Sequence, residues 1–175
     1  MARGPLAGYR RAMLRGLALL ILAALSTAAA KGDVVYAGGA WAAVDRGGAC
    51  EALSRSVHVV AKGKVQGEAS FAFSRDRRRW GEFHARLRRM PRAGAAVMLN
   101  IDKQPFLLVS RGNEAWSDGP LQELAIITAL RSASGMSVES RDGAGRRFSD
   151  PYSLDGAATA IDAAAAACAG KIQPQ

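Results

Sequence analysis

The chain predicts a mainly β protein: an antiparallel β-sandwich or barrel-like domain with one inserted helix and a C-terminal closing helix. Three observations carry that expectation. Short runs alternate strictly between large apolar and smaller or polar residues, as in Ala69-Ser70-Phe71-Ala72-Phe73-Ser74, which is the period of a half-buried antiparallel strand. Turn-forming residues punctuate these runs at intervals of about 8–12 residues, the spacing of sandwiches and barrels. Helical spacing replaces the alternation after Pro120 and again after Gly156.

Residues 1–30 read as an export signal, leaving 31–175 as a single β-rich domain. Arg3, Arg10, Arg11 and Arg15 form a positive leader without an acidic residue, 16–25 is an apolar run of ten, and Ser26-Thr27-Ala28-Ala29-Ala30 supplies small residues for cleavage. The run is short of the roughly 20 residues a spanning helix needs, so no transmembrane span is expected in the mature form. Tyr9-Arg10-Arg11 resembles a twin-arginine signal, but the leucine-rich core favours the general secretory route. The expected location is the periplasm or the exterior.

Within the domain, Ala40-Trp41-Ala42-Ala43-Val44 predicts a strand that sends Trp41 inward, and Gly47-Gly48 predicts a turn into a strand at 50–54. Strands at 69–74 and 80–90 should form a hairpin, with Phe83, Ala85 and Leu87 facing in and Glu82, His84, Arg86 and Arg88 facing out. A second pair, 97–101 and 105–110, turns at Asp102-Lys103-Gln104, with Pro105 at a strand start where proline is tolerated. Ser117-Asp118-Gly119-Pro120 signals a helix through about 132, whose apolar face would be Leu121, Leu124, Ile127 and Leu130. Alternation returns at 136–141, Asp142-Gly143-Ala144-Gly145 turns the chain, and 146–154 is the last strand. The alanine-rich helix 156–168, with Asp155 as a cap, should pack closely on the sheet.

The full chain carries +9, from 24 basic and 15 acidic residues. Loss of the leader's four arginines leaves 20 basic residues and a net +5. With 19 Arg against 5 Lys, this charge fits a biased composition as well as selection for anions, and nucleic acid is not an expected partner. Cys50 and Cys168 are the only two cysteines. In an exported chain they read as one disulfide, closing a loop worth at most about 4–5 kcal/mol by chain entropy.

Catalytic and metal templates are absent. There is no Gly-x-Ser-x-Gly, no His-Glu-x-x-His and no phosphate-binding glycine loop before a helix, and no cofactor or metal is expected. His58 and His84 remain as bases for an alternative reading, a periplasmic hydrolase. The densest polar feature is basic. Arg75, Arg77, Arg78, Arg79, Arg86 and Arg88, with Arg89 and Arg92, crowd the expected hairpin. Such a face suits bidentate contacts to phosphate or carboxylate groups of lipopolysaccharide, peptidoglycan or an acidic protein partner. The plainer reading of the same residues is a solvated face that keeps edge strands from pairing.

Three stretches carry a resemblance. They are Ala40-Trp41-Ala42-Ala43-Val44 followed by Cys50, the run Met98-Leu99-Asn100-Ile101-Asp102-Lys103-Gln104-Pro105-Phe106, and the tail Tyr152-Ser153-Leu154-Asp155-Gly156 entering an alanine-rich helix. Together they resemble the invasion-associated locus B family of exported bacterial proteins, with Cys168 in place of the family's further cysteines. The resemblance implies an exported, non-enzymatic β-rich protein of the bacterial cell envelope, linked in some members to virulence through host-cell invasion. It transfers no catalytic residue.

Overall fold

The computed structural model describes residues 32–170; the expected export signal lies outside the described residues. Ten strands form one antiparallel sheet: β1 (Asp33–Gly38), β2 (Trp41–Asp45), β3 (Ala49–Arg55), β4 (Glu68–Ser74), β5 (Trp80–Arg86), β6 (Val97–Ile101), β7 (Gln104–Arg111), β8 (Glu114–Trp116), β9 (Met136–Arg141) and β10 (Arg147–Tyr152). Helix α1 (Pro120–Leu130) is inserted after β8, and α2 (Ala157–Ala169) closes the chain. Strand order is β1-β2-β3-β4-β5-β8-β7-β6-β9-β10. The mainly β class and both helices are as the sequence predicts.

The sheet curls until its ends approach. After β10 the chain returns across the β1–β2 corner, where the Ala40 N–H donates to the Asp155 carbonyl at 2.9 Å and Trp41 Nε1 donates to the Ser153 carbonyl at 2.8 Å. Val57, just beyond β3, donates its N–H to the Pro151 carbonyl in β10. These bonds satisfy backbone groups that an open edge would expose.

Alternation decides the core. Trp41 on β2, Phe71 on β4 and Phe83 on β5 are buried as a row of rings, with centroids 6.0 Å apart for Trp41–Phe71 and 5.3 Å for Phe71–Phe83. Each large apolar side chain so buried contributes roughly 1.5–3 kcal/mol. On α2 the buried residues Ala157, Ala160, Ile161, Ala164 and Cys168 lie on one face, and their small size lets the helix sit close on β1–β4. Cys168 reaches Cys50 on β3 in the expected disulfide, with 5.7 Å between Cα atoms.

Several expectations are corrected. β1 and β8 were not anticipated: the first is short and exposed along most of its length, and the second is three residues long. β5 ends at Arg86 rather than 90, because the next N–H groups leave the ladder for the Asn113 carbonyl and the Asp150 carboxylate. Gly156 in a left-handed conformation, not the Asp155 side chain, begins α2. Helix α1 keeps Leu130 buried and Ile127 packed against the core, as expected, but its first turns face differently. Glu123, Ile126 and Leu130 are buried while Leu121 and Leu124 are 87% and 66% exposed. Gln122 sets that rotation, accepting from the Asp118 N–H at 2.8 Å and donating to the Leu107 carbonyl at 3.0 Å. Gly81 lets α1 approach β5, since a Cβ there would crowd Ile127.

Candidate binding site at the hairpin tip

The β4–β5 turn, residues 75–79, is built by its own side chains. Ser74 Oγ donates to Asp76 Oδ1 at 2.5 Å, and the Arg78 N–H donates to the same oxygen at 3.1 Å. The Ser74 bond foremost, then that backbone bond, hold the Asp76 carboxyl below its usual range. Arg77 takes a left-handed backbone, φ 62°, and its guanidinium lies 3.9 Å from the centroid of the Trp80 ring.

The six arginines do not form one face. Arg75 is consumed internally: it donates to the Gly47 carbonyl at 2.6 Å, to Asp45 at 2.5 Å and to the Ala167 carbonyl in the last turn of α2 at 3.2 Å. A cation there also complements the helix dipole. Arg79 reaches Glu82 only at 3.7 Å, and Arg78 reaches Asp76 at 3.5 Å with its side chain 87% exposed. Arg77 has no acidic partner among the described residues. Arg86 and Arg88 lie at the far end of the hairpin, roughly 20 Å away at about 3.3 Å per residue. Arg86 pairs with Glu68 at 3.2 Å. Arg88, expected on the solvent face, is a half-buried cation instead: its Nε lies 2.5 Å from Asp150 Oδ1, and its side chain is 13% exposed against 0% for Asp150. The early end of β5 turned it inward, where it stacks toward Phe148.

Beside the tip, α1, α2 and β4–β5 enclose a cleft of about 710 Å³. Its apolar lining is Phe73, Trp80, Leu124, Ile127, Ile161 and Ala165; Arg77, Arg78 and Arg131 stand around it. Arg131 is engaged by Asp162 through two bonds of 2.6 and 3.2 Å. Three carboxyls line the cleft, Asp162 and also Glu82 and Glu123. Burial, and then the Glu82 charge, push the Glu123 carboxyl up; a 3.5 Å contact from Ser117 Oγ offsets this in part. Ser117 itself is held by the Phe83 N–H at 3.1 Å. The cleft escaped sequence reasoning because it forms only where α1, α2 and the β4–β5 hairpin meet, although Leu124 and Ile127 of the expected helix face do line it. One signal was present: Glu123 stands three and seven residues before Ile126 and Leu130, so that face carries a carboxyl.

The two histidines are separate. His84 Nε2 lies 2.7 Å from Glu114 Oε2, and its ring stacks on Trp116 with centroids 5.3 Å apart. His58 is exposed in the β3–β4 loop. Among the described residues, no hydroxyl is hydrogen-bonded to either imidazole, and no group of three potential metal ligands is found. No described helix is long and apolar enough to cross a membrane. No family model, curated protein or solved structure matches this chain.

Proposed function

We propose that this is an exported, non-catalytic binding protein of the bacterial envelope, of the invasion-associated locus B kind. It takes an anionic group of an envelope or host component at Arg77 and Arg78 and the apolar portion of that component in the neighbouring cleft. The observation that carries this reading is the juxtaposition itself: Arg77, which has no acidic partner among the described residues, and Arg78, whose side chain is far more exposed than that of Arg79, both line the cleft. Arginine over an aromatic ring is held in place, so little freedom is lost when it meets a carboxylate or phosphate. The signal-like leader and the disulfide support an oxidising compartment.

The test is titration of the purified protein with dodecyl phosphate, lipopolysaccharide and peptidoglycan at low and high salt, read through Trp80 fluorescence and sedimentation. Salt-sensitive binding, weakened at least tenfold in Arg77/Arg78/Arg79→Ser, supports the reading. Equal binding by that variant, or none by the parent, overturns it and turns the search to protein partners.

A hydrolase remains the second reading, favoured by the Glu114 carboxylate that orients His84 at 2.7 Å. Turnover of an ester or amide panel that disappears in His84→Ala or His58→Ala would establish it.

A further inference from the structure

A second surface lies at the opposite end of β4 from the arginine tip. The β3–β4 connection runs Ser56-Val57-His58-Val59-Val60-Ala61-Lys62-Gly63-Lys64-Val65-Gln66-Gly67, with two lysines and no acidic residue. It is an ordered projection. Its base is closed by the Ser56 N–H to the Gly67 carbonyl at 2.9 Å, and Gln66 Nε2 clamps the Ser56 and His58 carbonyls at 2.6 and 2.7 Å. The Lys64 N–H, bonded to the Ala61 carbonyl, makes its outer turn.

What this scaffold displays is apolar. Val59 is 94% exposed, Val57 58% and Val65 46%, and Met90, which follows the Arg88-Arg89 segment beside the loop, is 64% exposed. Single exposed apolar residues are ordinary on a soluble surface. Several held together on a braced projection mark a contact surface. The charges around them that lack an ion-pair partner among the described residues have one sign. The acidic groups at this end are already engaged: Asp150 by Arg88, Asp142 by Arg89 and Arg146, and Glu68 by Arg86. Lys62 and Lys64 have no such partner among the described residues.

We infer that this loop docks the protein on an anionic lipid surface, the valines entering the boundary between headgroups and acyl chains while Lys62 and Lys64 meet the lipid phosphates. Apolar tips ringed by lysine suit an interface that is oily inside and negative outside, and lysine stems can lie along the oily part with their ammonium groups in water. Each lysine near such a surface strengthens binding by roughly fivefold. Valine, stiff about its first side-chain torsion, loses little freedom on insertion. This inference does not depend on the reading of the hairpin tip, because the two surfaces lie at opposite ends of β4.

The experiment is co-sedimentation of the exported protein with vesicles of phosphatidylcholine alone and of phosphatidylcholine with phosphatidylglycerol, at two salt concentrations. Binding to the anionic vesicles, weaker in salt, is expected. Val57/Val59→Ser should lower partitioning at least tenfold, while Lys62/Lys64→Ser should remove the preference for anionic lipid. The loss caused by Val57/Val59→Ser should be of the same size on an Arg77/Arg78→Ser background, which keeps the test separate from that of the tip. Both loop variants alter exposed side chains, and unchanged thermal midpoints would confirm that they fold. Val59→Trp supplies a direct readout, since quenching by brominated lipid requires that position to enter the bilayer. No partitioning, partitioning indifferent to the valine variant, or loss only in the arginine variant would each overturn the inference. Binding of the loop to a protein but not to vesicles would overturn it as well.

Discussion

Arg88 and Asp150 form an ion pair across the interior, Nε to Oδ1 at 2.5 Å, that fastens the end of β5 to β10. Asp150 also accepts the Arg88 N–H at 3.0 Å, and Arg88 Nη2 reaches the Ser149 carbonyl at 3.3 Å. Two strands distant in sheet order are thereby held together at one point. Tyr152, two residues on, is buried as well, and burial followed by the Asp150 charge pushes its phenol up.

Removing Arg88 leaves the Asp150 charge buried and uncompensated, and removing Asp150 leaves a half-buried guanidinium without its partner. Asp150→Ala or Arg88→Ala should therefore cost about 3–5 kcal/mol, read as a shift in the urea midpoint. Arg88→Met with Asp150→Leu should recover much of that loss. A double variant no better than either single one would show that the pair does more than neutralise itself.

Reduction should loosen the join between β3 and α2. Cys50→Ser with Cys168→Ser, or reductant, should lower stability by about 2–5 kcal/mol. Unreduced protein, once unfolded, should present no thiol to a thiol reagent, because both cysteines are paired.

Glu123 should leave a signature in the pH dependence of stability. Its folded carboxyl titrates above the ordinary 4.5, so the folded state holds the proton more tightly than the unfolded one. Stability from this group is present below about pH 4.5 and falls as pH rises through the higher folded value. Glu123→Gln should flatten that decline, measured as denaturation midpoints from pH 4 to 8. A decline as steep as the parent's would place its origin elsewhere.

Gly156 should tolerate no side chain. Its φ is 82°, and a Cβ would collide with the Gly38 carbonyl oxygen. Left-handed backbone alone costs an L-residue about 1–2 kcal/mol, and the clash with main chain adds to it. Gly156→Ala should lower the melting temperature, whereas Gly63→Ala, with equally positive φ but open space around it, should cost less.

The strands were legible where one face is dry. Phe83 and Ala85 in β5 and Val97 and Leu99 in β6 announce their elements because period-2 burial writes itself into residue choice, whereas β4 alternates in residue size yet is buried on both faces. β1 was hidden because its Val34 and Val35 are 66% and 44% exposed, so burial left no pattern there. The hairpin tip was legible as a cluster of arginines, but not which of them are free. Arg75 and Arg88 read like their neighbours until Asp45, Ala167 and Asp150 come within reach.

By itself the sequence determined the mainly β class, the hairpin, the closing helix and the pairing of its only two cysteines. Each depends on local periodicity, turn chemistry or simple arithmetic. The tertiary structure alone decided that the arginines divide between two ends of a hairpin, that Glu123 lines a cleft while Leu121 faces solvent, and that Val57 and Val59 are exposed among the described residues. Those outcomes depend on partners far away along the chain, and a charge or an apolar side chain carries no local mark of the residue that will meet it.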